Sequence, residues 1–353
     1  MDKDISKRLQ ERVTAAFDSD TPLAVVGGGS KSFLGREPRG EPLQLGEHRG
    51  IVSYQSTELV ITARAGTPLS DIEAALADSR QMLPFEPPHF GETATLGGTV
   101  ACGLSGPRRP YAGAARDYVL GMSVINGRGD ILRFGGQVMK NVAGFDVSRL
   151  MTGALGTLGV QLEISLKVLP RPALEITLVQ ERTDAEALVV MNHWAGQALP
   201  LSATCYDGDH LYVRLSGAES AVESARRRMG GDVLNGAETF WSGVREHHHG
   251  FFAGETPLWR LAVPPATPPL ALPGKQLLEW GGAQRWLTGE VDGPAVRRLV
   301  TEAGGHAALF RGGDRGKERF HPLPQTVSDL HRRLKHAFDP KGILNPGRMY
   351  SWA

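Results

Sequence analysis

Three consecutive glycines, Gly27-Gly28-Gly29, follow the apolar run Leu23-Ala24-Val25-Val26 and lead into Ser30-Lys31. A run of this kind reads as a buried strand, and glycines directly after it let the chain turn sharply. Successive N–H groups can then face one concavity, which suits an anion such as a pyrophosphate. Ser30 adds a hydroxyl donor and Lys31 a charge. The spacing matches neither the Walker pattern nor the G-x-G-x-x-G fingerprint. Taken alone, the stretch serves equally as a phosphate cradle or as a plain turn.

Two more glycine-rich segments follow it. "TLGGTVACGLSGPRRPYAG", Thr95 to Gly113, sets small side chains between glycines. A flat, extended ligand could lie against such a backbone; a glycine-rich surface loop is the alternative. "GALGTLGV", Gly153 to Val160, joins a helix to a strand, for which a C-cap and a tight turn suffice.

The rest of the chain reads as a mixed α+β protein. Ile5, Leu9, Val13 and Ala16 share one face of an N-terminal helix. "ELVITARAG" is a strand, and "TPLSDIEAALADSRQ" a helix with Thr67 at the cap and Pro68 in the first turn. From Met82 to Gly113 the sequence reads as one long functional loop. A hairpin turns at Asn126-Gly127-Arg128-Gly129, "DVSRLMTGALG" is a helix ending at Gly156, and "GVQLEISLKVLP" is a strand. Pro170 and Pro172 mark a boundary. Beyond it the order is strand, helix, hairpin, helix, then, after the proline-rich "AVPPATPPLALPG", a weaker strand–helix–strand unit. These are two related units on an antiparallel sheet. The last helix, "LHRRLKHAF", is amphipathic. The boundaries expected are 1–171, 172–320 and 321–353.

With 39 Lys and Arg against 38 Asp and Glu, the formal net charge is +1, which gives no basic excess for nucleic acid. No window approaches the roughly 20 apolar residues of a membrane span, and the N-terminus lacks a secretory signal. Cys102 and Cys205 are the only cysteines, too few for a four-cysteine cluster in these 353 residues. The expectation is a reduced, cytoplasmic protein.

Together the three glycine segments resemble the FAD-binding domain of the vanillyl-alcohol oxidase and p-cresol methylhydroxylase (PCMH-type) flavoproteins. There a "GGG(S/T)" loop holds the pyrophosphate, a "T-x-GG" loop runs along the flavin, and a "GxLGxLG" turn contacts the adenine side. "FDPKGILNPGR", Phe338 to Arg348, is similar to the C-terminal segment that closes the flavin site. The match looks closer to the smaller FAD-binding (E) subunits of bacterial glycolate oxidase complexes, and extends over nearly the whole chain. The resemblance implies a two-subdomain FAD-binding domain, a smaller ferredoxin-like α+β cap, and a C-terminus that returns to the first domain. It assigns to FAD Val26, Gly27, Gly28, Gly29, Ser30, Lys31, Thr95, Gly97, Gly98, Ala101, Gly103, Ser105, Gly106, Gly113, Gly156, Gly159, Val160 and Asn345. It implies flavin oxidation of a small 2-hydroxy acid, glycolate to glyoxylate. The partners implied are a larger FAD-binding catalytic subunit and an iron–sulfur subunit, through which the chain could sit peripherally at the inner membrane.

Ser30 and Lys31 stand where some members carry a tethering histidine, so the FAD is expected to be non-covalent. Larger catalytic relatives carry "HGDGNxH" and "EHGxG"; "HAALFRGG", from His306, stands near the first without its acid or second histidine. No metal site is expected, and "EHHHG" at His247–His249 reads as surface or interface histidines. The catalytic candidates are His89 as an acid/base, or a loop histidine, and Arg108 and Arg109 as carboxylate ligands, or as interface residues. Arg116 and Asp117 read as a structural pair, and Lys140 and Asn141 as helix caps or flavin neighbours. Two other readings are a structural or electron-relay subunit without its own turnover, and a stand-alone oxidase of a lactone or alcohol.

Overall fold

The computed structural model describes residues 3–136 and 146–352. Lys140 and Asn141 lie outside them. Two antiparallel sheets organise the chain.

The first sheet has five strands, in the order Ile51–Gln55, Val60–Arg64, Val160–Lys167, Val119–Ile125 and Ile131–Gly135. Its central strands are buried on both faces, because helices Leu69–Asp78 and Leu96–Cys102 pack one side and the N-terminal helix Ser6–Asp18 packs the other. The N-terminal helix buries Leu9, Val13 and Ala16, as its periodicity predicts. A small parallel pair, Leu23–Val26 with Glu41–Gln44, carries the glycine loop at its C-terminal end.

The second sheet has eight strands. Its first half runs strand–helix–strand–strand–helix–strand from Leu174 to Val233, with the fourth strand outermost beside the first: order four-one-three-two. That is the ferredoxin-like arrangement. The second half runs from Leu258 to Arg311 in the order two-three-one-four, and the two halves meet where Leu201–Tyr206 pairs Lys275–Glu279. The weak second unit of the sequence is therefore a full repeat. The proline-rich 263–274 segment stands where the first helix would be. Sequence reading missed strands Leu258–Ala262 and Lys275–Glu279 and helix Ala237–Arg245.

Four local expectations are corrected. The stretch from Met82 to Gly113 is not one loop: it contains helix Leu96–Cys102, capped by Thr95, whose hydroxyl accepts from Gly98 N–H. Thr67 does not cap its helix; its Oγ1 donates to Arg64 O and accepts from Gly50 N, and Pro68 occupies the cap position. The helix after Asp146 ends at Met151, well before Gly156, and positive-φ Gly153 and Gly156 carry the chain through the following turn. Arg116 and Asp117 form no ion pair; Asp117 accepts from Ala114 N–H.

The C-terminus returns to the first unit, as expected. Helix Gln325–Phe338 presents Lys335, whose Nζ donates to Thr157 O, Leu344 O and Asp339 Oδ2 at 2.7–2.8 Å. Asp339, 1% exposed, also accepts from Ile343 and Leu344 N–H, which fixes the "DPKGILNP" turn. Leu344 then bridges Leu23, the first residue of the strand that enters the glycine loop.

Candidate functional site

The glycine loop opens into a cleft of about 260 Å³. The N–H groups of Gly28, Gly29 and Ser30 have no acceptor among the described residues. Gly29 has φ +77°, and a Cβ there would meet nothing within 4 Å. Unsatisfied donors on an open concavity are what an anion requires. The facing wall is helix Leu96–Cys102, which shows Gly98, Ala101 and Cys102 to the cleft below Thr95. Gly27 belongs to that contact: a Cβ on it would lie 2.7 Å from Thr95 Oγ1.

Asn345 joins the walls. Its Oδ1 accepts from Val25 N–H and its Nδ2 donates to Leu155 O, both at 2.7 Å. It has φ +44°, a region asparagine tolerates better than most residues.

Ten of the predicted contacts line the cleft: Val26, Gly27, Gly28, Gly29, Ser30, Lys31, Thr95, Gly98, Ala101 and Asn345. Ser105 and Gly106 line a separate, smaller cavity. The other six line neither. Gly97 lets its helix approach Ala65, Gly103 is the left-handed C-cap of that helix, and Gly113 turns beside Asp117. A Cβ on Gly156 would meet Asn345 Nδ2, and Gly159 and Val160 sit in the sheet against Ile125.

Sequence reading missed two cations. Arg348 donates to Arg36 O and Ser32 O at 3.0 Å, and Arg315 donates to Ser32 O at 2.7 Å. Both line the cleft with Lys31, opposed by Glu37. Burial lowers the Arg348 pKa to about 10, so it stays charged at neutral pH. Arg315 Nε is buried without a partner. Lys31 is 6% exposed, donates to His89 O at 3.0 Å, and has its pKa lowered by burial. Burial raises the Cys102 thiol against the pull of Lys31 and Arg348. Orphan N–H groups and three cations make a donor set that fits the diphosphate of a dinucleotide cofactor.

The smaller cavity, about 20 Å³, lies where Ser105 and Gly106 meet the eight-stranded sheet. Arg260, Glu279, Gln284, Trp286, His247, Phe90 and Phe310 complete it. The aromatic rings contact one another at centroid distances of 4.7–6.1 Å. Burial pushes the Glu279 carboxyl up to about 7, although Trp286 Nε1 and Gln284 Nε2 donate to it.

The catalytic candidates fare unequally. His89 Nε2 lies 3.1 Å from Glu73 Oε2 and lines neither cavity. Arg108 is committed to Glu86 and Glu175, at 3.2 and 2.5 Å, so its guanidinium is not free for a ligand. Arg109 instead stacks on Trp280, 4.4 Å from its centroid. His247 is not a surface residue: it is buried, stacked on Phe252 at 4.0 Å, and burial lowers its pKa to about 3. No group of three or more His, Cys, Asp or Glu side chains among the described residues is arranged to hold a metal.

The FAD binding domain family matches residues 6–135, and the C-terminal domain of FAD linked oxidases matches 323–349. The chain is 50% identical over 348 residues to glycolate oxidase subunit GlcE of Escherichia coli strain K12, covering 99% of this chain and 98% of that protein. The chain belongs to the GlcE family of FAD-linked oxidoreductase subunits.

FAD is therefore the cofactor, and membership of a subunit family implies partner subunits. Other relatives match in part. Glycolate oxidase subunit GlcD of Bacillus subtilis strain 168 is 31% identical over 57% of this chain, which spans 43% of that protein. A D-lactate dehydrogenase of Anaerostipes hadrus is 35% identical over 49% of this chain and 36% of its own length. In structure, 4-ethylphenol oxidase from Gulosibacter chungangensis superposes with TM-score 0.70 at 16% identity, over 98% of this chain and 88% of that one. The same PCMH-type α+β fold underlies both. No helix among the described residues is long and apolar enough to cross a membrane.

Proposed function

We propose that this GlcE-family chain is the FAD-binding subunit of a complex that oxidises glycolate to glyoxylate and passes the electrons to an iron–sulfur partner. The observation that carries the reading is the full-length match to GlcE together with a cleft of diphosphate character. The proposal divides the chain at 1–171, 172–320 and 321–353 into FAD-binding domain, cap and returning segment.

When bound, FAD supplies the two-electron acceptor. The chain supplies the position. Gly28, Gly29 and Ser30 N–H groups, with Lys31, Arg315 and Arg348, hold the diphosphate; Asn345 fixes the strand that aims the loop. Among the described residues no histidine lines the cleft, which supports a cofactor held by contacts alone. Two cysteines are too few for a four-cysteine cluster, which supports a partner carrying the electrons onward.

The test is to purify the chain alone and co-expressed with its complex, then measure flavin per chain and glycolate-dependent dye reduction. Acid-releasable FAD near one per chain, with turnover only in the complex, is expected. A chain that stays colourless with added FAD, or a complete complex inert to glycolate, overturns the reading. The close aromatic packing of the smaller cavity favours a second reading, an electron-relay flavin that never meets substrate.

A further inference from the structure

Arg109 and Arg260 both stack on Trp280, with guanidinium carbons 4.4 and 5.1 Å from the ring centroid. Arg260 reaches the smaller cavity from strand Leu258–Ala262; Arg109 opens the short helix Arg109–Ala112 that follows Gly106. Neither has a carboxylate within ion-pair distance among the described residues. Arg260 makes one side-chain hydrogen bond, Nε to Gln284 Oε1 at 2.6 Å. Elsewhere at this junction the arginines are paired: Arg214 and Arg108 share Glu86 and Glu175. Two partly buried guanidinium groups on one indole, unpaired, are costly unless an anion joins them.

The backbone around them is strained. Glu86, Phe90, His247 and Trp280 have φ of 44°, 51°, 58° and 56°, and all four line or flank the cavity. Non-glycine residues in that region collect at ligand sites. Trp280 is held there by Nε1–H donation to Gly106 O, which ties the sheet to the glycine-rich segment. Glu279, the one acid among the described lining residues, accepts from Trp286 and Gln284; it attracts Arg260 through its charge and through shared Gln284 but forms no direct ion pair with it.

We infer that Arg260, backed by Arg109 across Trp280, binds the carboxylate of a small organic acid in the cavity between Ser105-Gly106 and the eight-stranded sheet. At about 20 Å³ the cavity admits only a small polar group, which favours the shortest acids. The inference rests on the proposed function for the identity of the acid, glycolate, but not for the carboxylate chemistry. It places substrate at this chain and opposes the relay reading.

The test is calorimetric titration of the FAD-loaded chain with oxalate, an unreactive two-carbon acid, and with neutral glycolamide. Saturable oxalate binding is expected, with none for glycolamide. Arg260→Gln should weaken oxalate about 10- to 100-fold at unchanged flavin content, and Arg260→Lys should recover part of the loss. Should Arg260→Gln fail to fold, Arg109→Gln makes the same comparison through a smaller loss. Absence of saturable oxalate binding to the FAD-loaded wild-type chain overturns the inference. So does wild-type affinity in folded Arg260→Gln. A complete complex inert to glycolate, with oxalate still bound, would instead sink the proposed function and leave this site standing.

Discussion

Replacing Asn345 separates the scaffold of the cleft from its charge. The side chain is 3% exposed, holds Val25 N–H and Leu155 C=O at 2.7 Å, and sits at φ +44°. Asn345→Ala removes both bonds and strands both backbone groups. Each lost bond, with its group left partly reachable by cleft water, costs about 1–1.5 kcal/mol. Alanine in the left-handed region adds about 1 kcal/mol. The expected loss is about 3–4 kcal/mol in the unit that carries the cleft.

Asn345→Asp behaves differently. Its carboxylate still accepts from Val25 N–H, but the second oxygen faces Leu155 O without a proton. The stability loss should be smaller, about 2 kcal/mol. The new charge faces the cleft, and one like charge at roughly 6 Å in an effective dielectric of about 20 costs near 3 kcal/mol of anion binding, on the order of a hundredfold. Urea unfolding followed by fluorescence gives the stabilities, and flavin fluorescence titration gives the affinities. A crossover is expected: alanine hurts stability more, aspartate hurts FAD more. Wild-type FAD affinity in folded Asn345→Asp would mean that the diphosphate does not lie in this cleft.

Three further outcomes follow from the same geometry. Gly29→Ala should cost only about 1 kcal/mol for its φ of +77° yet lower FAD affinity at least tenfold, because its Cβ enters the open cleft; equilibrium dialysis and thermal melts separate the two. Glu279→Gln should stabilise the protein at pH 8 and change little at pH 5. The folded carboxyl is raised to about 7 from 4.5, so the folded state binds the extra proton and stability falls as pH rises through that window, by about 3 kcal/mol in full; equal effects at the two pH values would refute this. Glu86→Gln leaves Arg108 and Arg214 without their shared acid and should cost about 3–5 kcal/mol above pH 5, with the difference from wild type shrinking as acid protonates Glu86, whose pKa the arginines hold down against burial; denaturant midpoints against pH test it.

Periodicity made the elements with one apolar face legible. Ser6–Asp18 forms as read; Asp184–Ala195 and the hairpin at Asn126–Gly129 also form, although the helix buries only Ala187, Leu188 and Met191 and leaves Val189 exposed. The helix Leu96–Cys102 was hidden because "LGGTVAC" has no polar face: it is wedged between the cleft and Ala65, and its two glycines serve that closeness rather than a loop. Helix Ala237–Arg245 does present one apolar face, burying Trp241 and Val244, but it is short and starts at Gly236 without a side-chain cap; strand Leu258–Ala262 is covered on both faces and so shows no alternation. Arg315 and Arg348 carried no local signal. They lie 284 and more residues from Lys31: Arg315 reaches the cleft from the segment after strand His306–Arg311, and Arg348 reaches it because Lys335 and Asp339 fold the C-terminus back. For the same reason sequence could not tell Arg108 from its neighbour: which arginine finds Glu86 depends on a sheet built from residues far along the chain.

The glycines themselves divide by what stands opposite them. A Cβ on Gly28 would fall 1.4 Å from Thr93 O, on Gly97 2.6 Å from the Ala65 Cβ, and on Gly66 2.0 Å from Leu45 O. These positions are glycine because protein approaches protein, and replacing them would damage the fold whether or not a cofactor is present. Gly29 meets nothing within 4 Å, and Gly98 meets only Thr95 Oγ1, at 3.1 Å. Only there does the space belong to a ligand. Loss of flavin in a Gly28 variant would therefore say little about the cleft, whereas loss of flavin with a nearly intact melt in Gly29→Ala would locate the cofactor. The glycine-rich signature records close packing that shapes a cleft, with the ligand's own demand confined to a few of its residues.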